Sequence, residues 1–485
     1  MDEEAIEDGS GKVPDSDEPT FQINLQVSAF SKVLRNRDFM ALWMGQGISS
    51  IGDWVIVGVL LDTVNRMGGT TGLFWMLTFR FLPAFLFGLI AGAVVDRLER
   101  KTLMIICEIA RCLLVVALAF ASSLWLICML VFSIETFTLL FGPAKDSSIP
   151  DLVKTEEVIT ANSIMSTTTY LTMALGTMIA TVILGVAALI YSLPLISTMT
   201  SLGNFQHTFA FLVDALTFVA SAMLIWTIAF PRKWSGEDRP KISAPHVWRD
   251  FKEGMRFMRA NRLTRAILSA LIIGFIGGGS LYILGAPFSQ QVLRAVGSKF
   301  TLVLTMLLFG VVAGAAAAPW AEKRLSMDKW FSRAAVSFGV IMVVFAWVDF
   351  YPASLLIIFF GGIMLGYLLV SAYTLLHHNL EEEVRGRVFA AFQTIMRTCL
   401  LLSMGIFILI EWIFERLIPW TPRDPVYRTL DLGLFTKSVY PAMLSLMVGG
   451  IIVIAGGLAC GRMLKTFFQG TVETEADVEG TDTAT

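Results

Sequence analysis

The feature that most constrains the fold is a series of apolar stretches, each about as long as a bilayer is thick. A helix needs about 20 residues to cross a hydrocarbon core of about 30 Å. Hydropathy divides the chain into twelve such stretches: 42–64, 73–95, 102–122, 124–142, 163–190, 208–230, 265–287, 300–320, 332–350, 352–375, 389–411 and 439–463. The sequence therefore predicts an all-α membrane protein with twelve transmembrane helices.

Composition excludes other classes of protein. Hydrophobic residues make up 55% of the chain and charged residues 16%, whereas soluble domains are about 25% charged. The net charge of −2 comes from tails and loops and predicts no nucleic-acid partner. The five cysteines lie inside apolar stretches without metal-ligand spacing, so we expect free thiols, no metal site and no cofactor.

The distribution of basic residues predicts the orientation in the membrane. With the N-terminus inside, 27 lysines and arginines lie on the cytoplasmic side, 7 lie outside and 3 lie within spans. Cytoplasmic loops are enriched in Lys and Arg, so both termini are expected in the cytoplasm. We expect a multi-pass protein of the cell (inner or plasma) membrane, and no cleavable signal peptide, because the first apolar stretch follows an acidic, polar N-terminus.

Short motifs recur in the two halves of the chain at separations of 225 or 226 residues. The pairs are Asn36-Arg37 with Asn261-Arg262, Glu156-Glu157 with Glu382-Glu383, and Asp96-Arg97 with Glu322-Lys323. This spacing predicts two pseudo-repeated six-helix halves, an arrangement that places a substrate between them. The predicted domains are a disordered acidic tail (1–29), an N-terminal half (30–231), a cytoplasmic linker with an interfacial helix (232–262), a C-terminal half (263–466) and a second disordered acidic tail (467–485).

Ionisable side chains inside the predicted spans are candidate functional groups. Each costs on the order of 3 kcal/mol at the centre of a membrane helix. Asp53, Arg80 and Glu135 are the candidates for substrate binding or proton coupling, and Asp53 lies nearest the midplane. The reading in which each carboxylate only neutralises an arginine stays open.

Other charged residues inside the predicted spans are predicted to have structural roles. Glu108 and Arg111 are three residues apart, so they can pair on one helix face. Together with Arg397 they are predicted to be structural intramembrane charges, and Asp214 is predicted to snorkel or cap near the outer end of its helix. His377 and His378, followed by Glu381–Glu383, end a helix at the cytoplasmic surface, where a metal site is not favoured.

A tight basic turn joins the second and third spans, and its residues share one spacing, Gly-x3-Asp-Arg-x2-Arg-Lys. This latch segment contains Gly92, Asp96, Arg97, Arg100 and Lys101. Its position between two antiparallel helices favours a cytoplasmic turn. Its spacing resembles the loop between helices 2 and 3 of major facilitator superfamily transporters, where it acts as a gating latch between the two halves.

The resemblance covers about residues 30–465. Over this range the chain is similar to the branch of the superfamily that includes enterobactin exporters and macrolide efflux proteins. It is carried by LRNRDFMALWMGQGISSIGDW (34–54), FGPAKDSSIPDLVKTEEVITANS (141–163), FAFLVDALTFVASAML (209–224) and EEVRGRVFAAFQTI (382–395). Asp53 matches the branch's Gly-Asp, Arg80 its arginine before a proline, and Glu108 with Arg111 its acidic-x2-Arg. Glu99 departs from the latch's usual glycine, and Thr177 stands where drug–proton antiporters usually carry a proline.

The resemblance implies the major facilitator fold and a secondary active transporter. We expect export of a small amphipathic molecule, such as a drug, macrolide or siderophore, by proton-coupled alternating access. The expected partners are that substrate, protons and the lipid bilayer, with a monomeric protein. The alternatives are a lysophospholipid or other lipid transporter and, with less support, a transport-inactive receptor or scaffold. We expect no enzymatic activity, because no nucleophile–base pair or metal-ligand cluster lies at membrane depth in the sequence.

Overall fold

The structure, a computed structural model, describes residues 31–95, 98–194, 198, 202–230, 252, 255, 256, 258, 262–324, 327–378, 382–417, 428–431 and 436–482. Its long helices are α1 (Arg37–Val95), α2 (Arg100–Ala119), α3 (Leu124–Leu152), α4 (Val158–Tyr191), α5 (Leu202–Trp226), α6 (Arg262–Gln291), α7 (Ser298–Arg324), α8 (Met327–Trp347), α9 (Tyr351–His378), α10 (Glu382–Leu417) and α11 (Pro441–Asp482). The predicted all-α membrane architecture is confirmed.

Helix α1 contains two crossings joined at Gly69. Its 59 residues would extend about 90 Å as one straight helix, about three times the thickness of the hydrocarbon core. Gly69 has φ 57° and ψ −153°, a conformation that glycine adopts without a steric penalty. The chain reverses there, so the first arm (37–68) and the second arm (70–95) each cross once. Eleven helices in the described part of the chain are long and apolar enough to span a membrane, and the break in α1 brings the crossings to twelve.

The described helices divide into α1–α5 and α6–α11, and glycines set the closest approach within the second group. Gly310 and Gly314 on α7 face Gly362 and Gly366 on α9, and a Cβ built on Gly310 would lie 2.9 Å from the Gly362 Cα. Two facing small-xxx-small patterns let helix backbones pack closely in a membrane. The linker predicted at 232–262 lies almost wholly outside the described residues.

Polar contacts join the two helix groups at the end of the bundle that the charge distribution assigns to the outside. Gln290 on α6 donates to Asp62 on α1 at 2.8 Å. Thr181 on α4 donates to Thr301 on α7 at 3.0 Å, and Thr70 hydrogen-bonds Glu411 on α10. These contacts hold the groups together on the predicted outer side.

Two regions differ from the sequence-based prediction or add to it. Helix α11 continues to Asp482, through most of the segment that was predicted to be a disordered tail. No proline follows the span, so nothing removes a backbone donor and the helical hydrogen bonding can continue. In the loop after α10, β1 (Arg428–Asp431) and β2 (Thr436–Val439) form an antiparallel hairpin. The N-terminal tail lies outside the described residues.

Labelling single cysteines tests the predicted orientation. A cysteine at Thr421→Cys, in the loop after α10, should react with an impermeant maleimide added to intact cells, and one at Ser243→Cys should not. The native cysteines are buried or half-buried, so their background labelling should be low. Permeabilised cells, in which both positions should react, provide the control. Equal labelling of both positions in intact cells would contradict the predicted orientation.

Candidate functional site

Arg111 on α2 is the centre of a buried charged cluster. Its guanidinium lies 2.8 Å from Glu108 Oε1 and 3.5 Å from Asp53 Oδ2. The rings of Phe141 and Phe218 lie 4.8 and 4.5 Å from the guanidinium carbon. A cation between two aromatic faces gains electrostatic attraction where water is absent. The packing of α1 against α2 therefore places Arg111 between a carboxylate of each helix.

The predicted Glu108–Arg111 pair forms, and other helices contribute to it. Arg111 also pairs with Asp53, whose partner could not be identified in the sequence because it lies on another helix. Glu108 is fully buried and accepts a hydrogen bond from Ser221 on α5 at 2.8 Å. Glu108 Oε2 has no hydrogen-bond partner among the described residues. The local pair is thus one part of a three-helix network.

Arg80 and Glu135 form a second ion pair at 3.0 Å, between the second arm of α1 and α3. Glu135 is the direct partner of Arg80, whereas Asp53 pairs with Arg111. Both lie within electrostatic reach of Asp53 and of Tyr282 on α6. The Phe81 and Tyr282 rings are 6.2 Å apart. This pair therefore lies where the two helix groups meet.

Asp214 is buried in α5, which contradicts the expectation that it snorkels or caps. Its exposed fraction is 1%, Thr217 donates to its Oδ1 at 3.1 Å, and its Oδ2 has no partner among the described residues. A Cβ on Gly52 would collide with this carboxyl group, so glycine at that position lets α5 pack against α1. Asp214 interacts electrostatically with Asp53, Arg111 and Glu108. The region thus combines four carboxyl groups with two guanidiniums.

A second polar cluster surrounds Asp62 near the end of the first arm of α1. Asp62 is fully buried and pairs with Arg66, and Arg66 also lies 2.6 Å from His207 Nε2 on α5. Sequence reasoning missed this cluster, although the i, i+4 spacing of Asp62 and Arg66 was a usable signal. Gln290 from the second helix group completes it at 2.8 Å.

The described latch residues bind the ends of neighbouring helices. Arg100 donates to the Ser147 carbonyl and pairs with Asp151, both near the end of α3. Lys101 donates to the carbonyls of Trp226 and Ile228 at 2.7 and 2.8 Å. Cations stabilise helix C-termini, where carbonyls lack intrahelical partners. Asp96 and Arg97 lie outside the described residues, and Gly92 lies within α1.

Arg397 on α10 is exposed, and no carboxylate of the described residues lies within salt-bridge distance of it. Its role as a structural intramembrane charge stays a prediction. The described residues also contain no group of three side chains suited to hold a metal ion.

Comparison with known proteins assigns the family. The model of the Major Facilitator Superfamily matches residues 42–405. The chain belongs to the major facilitator superfamily. The resemblance to this superfamily is thereby confirmed, and the protein is a multi-span membrane transporter.

Relatives and solved structures agree with this assignment. The chain is 26% identical to the uncharacterized MFS-type transporter YfiS of Bacillus subtilis, covering 78% of this chain and 88% of YfiS. It is 24% identical to macrolide efflux protein A of Streptococcus pyogenes, covering 49% of this chain and 54% of that protein. A bacterial homologue of the human lysosomal transporter Spinster, in an inward-facing and unoccupied conformation, superposes with a TM-score of 0.67 at 15% identity, covering 91% and 98% of the two chains. The nucleoside transporter NupG gives 0.60 at 11% identity, covering 87% of this chain and 99% of NupG.

The latch hypothesis predicts that Asp96→Asn leaves membrane insertion intact and slows transport. The mutation removes a carboxylate at a helix end, where it is expected to hold a conformation rather than a substrate. Transport rate and membrane abundance should be measured together. Asp146→Asn is the matched control, because Asp146 is an exposed carboxylate near the helix ends that the charge distribution assigns to the cytoplasm. A wild-type transport rate at wild-type abundance in Asp96→Asn would refute the latch role.

Proposed function

We propose that this transporter exports a small amphipathic molecule from the cell in exchange for protons. The observation that carries the proposal is the excess of acid in the charged cluster. Asp53, Glu108, Glu135 and Asp214 share two guanidiniums, those of Arg80 and Arg111. Unpaired carboxylates are costly at membrane depth, and binding a proton removes that cost. Such a cluster is suited to take up and release protons.

Accessibility divides this cluster into two roles. The side chains of Asp53, Arg80 and Glu135 are 30%, 22% and 23% exposed, whereas those of Glu108 and Arg111 are 0% and 2% exposed. The first three can meet water or a solute, so we assign substrate binding and proton coupling to them. Glu108 and Arg111 are buried, and Arg111 holds Asp53 in position through their ion pair.

Competition for Arg111 links proton binding to the transport cycle. When Asp53 is ionised, it shares the Arg111 guanidinium with Glu108. A proton on Asp53 weakens its attraction to Arg111 and leaves that arginine to Glu108. Because Asp53 and Arg111 lie on different helices, this change loosens the contact between α1 and α2. Alternating access then requires the outer contacts at Asp62, Thr181 and Glu411 to open while the latch segment closes the cytoplasmic side.

The similarity to macrolide efflux protein A makes a macrolide the first substrate to test. Everted plasma-membrane vesicles containing the protein should accumulate a radiolabelled macrolide when their interior is acidified. Nigericin, which dissipates the pH gradient, should stop this uptake, and vesicles without the protein provide the background. Uptake of the macrolide that is insensitive to nigericin would contradict proton coupling. The absence of uptake for macrolides and other amphipathic drugs would contradict the export function itself.

A further inference from the structure

A cleft of about 510 Å³ lies at the predicted outer end of the first helix group. Its walls come from the end of the first arm of α1, from the loop between α2 and α3, and from the beginning of α5. They include Thr63, Arg66, Phe120, Ser122 and His207. No described residue of the second helix group lines the cleft. It is therefore separate from the space between the groups, where the transported substrate is expected.

Arg66 has hydrogen-bond donors that the described residues leave unused. A single nitrogen of its guanidinium, Nη2, contacts both Asp62 and His207. Its Nε and Nη1 atoms make no hydrogen bond to the described residues, and its side chain is 36% exposed. A guanidinium has five N–H groups, in a planar arrangement that suits phosphate and carboxylate oxygens. Arg66 can therefore bind an anion in the cleft without leaving Asp62.

His207 supplies a second donor. Its Nε2 lies 2.6 Å from Arg66 Nη2, and the same nitrogen lies 3.6 Å from Asp62 Oδ2, too far for a hydrogen bond. Because a guanidinium can only donate, Nε2 accepts, and the proton of the neutral ring is on Nδ1. Nδ1 makes no hydrogen bond to the described residues, although the side chain is only 8% exposed. Buried polar groups ordinarily have a partner, so a ligand or water is expected there.

The charge and the position of the cleft indicate the kind of ligand. No Asp or Glu is among the described residues that line it, and Asp62 lies behind Arg66. Helix α2 ends at Ala119 beside the cleft, and the ends of spanning helices lie at the level of the lipid headgroups. Met67 and Phe120, which also line the cleft, are exposed apolar side chains. A basic pocket between helices at this depth suits a lipid phosphate.

We propose that this cleft binds a phosphate ester, supplied by the headgroup of an anionic phospholipid in the outer leaflet. Arg66 and His207 would bind the phosphate oxygens, and Phe120 would contact the acyl chains. Arg66 stays paired with Asp62, which accepts a hydrogen bond from Gln290 of the second helix group at 2.8 Å. The bound lipid would thus lie next to a contact that joins the two helix groups on the predicted outer side.

Equilibrium binding to the purified protein in a phosphate-free detergent solution tests this proposal. Radiolabelled dihexanoyl phosphatidylglycerol should bind the wild-type protein saturably. The double variant Arg66→Gln with Asp62→Asn removes both charges of the pair, so no unpaired carboxylate stays buried. It should bind the probe about tenfold or more weakly, because a charged donor is lost. Asp62→Asn alone retains Arg66 and should bind the probe at least as tightly as the wild type.

Arg294→Gln is the matched control. Arg294 is an exposed arginine on the same predicted outer side, between α6 and α7, and does not line the cleft. This variant should bind the probe with wild-type affinity. Wild-type affinity in the Arg66→Gln, Asp62→Asn variant at an unchanged melting temperature would overturn Arg66 as the phosphate ligand.

Competition on the wild-type protein gives a readout that does not depend on the folding of a variant. Dihexanoylglycerol has the acyl chains without the phosphate and should not displace the probe. Displacement by it as effective as by the unlabelled phospholipid would refute phosphate recognition, as would the absence of saturable binding. Glycerol 3-phosphate lacks the acyl chains and should compete only at much higher concentration. If it competes as well as the phospholipid, the phosphate comes from a soluble ester and the outer-leaflet lipid is excluded as its source.

Discussion

Replacing Asp53 with asparagine should reduce pH-driven export to the level of vesicles without the protein, while downhill exchange of the same substrate persists. Asparagine has nearly the same shape as aspartate but cannot exchange a proton. Arg111 keeps Glu108 at 2.8 Å as a counter-charge in this variant, so the protein should insert and fold normally. The substitution should therefore abolish the coupling of export to protons and leave the stability of the protein unchanged.

The measurements that decide this prediction are uphill uptake and counterflow in the same everted vesicles. Uphill uptake requires the proton gradient, whereas counterflow exchanges labelled for unlabelled substrate and does not. Asp146→Asn, an exposed carboxylate on α3, should leave both activities unchanged. If Asp53→Asn retains nigericin-sensitive uphill uptake, Asp53 is only a counter-ion of Arg111, and Glu135 becomes the next candidate for proton coupling.

The largest effect on stability is expected for Arg111→Met. This substitution leaves Asp53 and the fully buried Glu108 without their shared cation. Breaking a buried ion pair by removing one partner costs about 3–5 kcal/mol. Methionine still packs between Phe141 and Phe218 and fills most of the space, so the cost should arise from the unpaired carboxyl groups and not from a cavity.

Yield of folded protein and thermal denaturation in detergent measure this cost. Adding Glu108→Gln to Arg111→Met should recover much of the lost stability, because the most deeply buried carboxylate is then neutral. Arg397→Met provides the control, since Arg397 lies within a span but is exposed and has no carboxylate of the described residues within salt-bridge distance. Wild-type stability of Arg111→Met, or no recovery in the double variant, would show that the cluster does not support the fold.

The position of Glu108 and Arg111 illustrates how far local spacing predicts a site. Their i, i+3 separation predicted an ion pair, and the structure contains it. The same spacing could not indicate that Asp53 joins the pair. That contact depends on how α1 packs against its neighbours, and Gly52 lets α5 approach α1 because a Cβ there would collide with the Asp214 carboxyl.

The sequence by itself determined the membrane class, the number of crossings and several of the charged residues inside the spans, but not the buried Asp62 cluster. A bilayer offers no partners for exposed backbone groups, so apolar stretches of sufficient length must become spanning helices wherever they occur. Ionisable residues within such stretches can be recognised in the sequence, because placing a charged side chain inside a membrane span costs free energy.

Only the tertiary structure decided which of these charges meet and where space remains. Asp53 pairs with Arg111, and Arg80 pairs with Glu135, although neither pair is close in the sequence. The apolar cavity lined by Gly274 and Gly285 on α6 likewise depends on which glycines face open space. Helix–helix packing in a membrane is set by the shapes of contacting surfaces. Those shapes arise from residues of different helices, so no single stretch of sequence contains them.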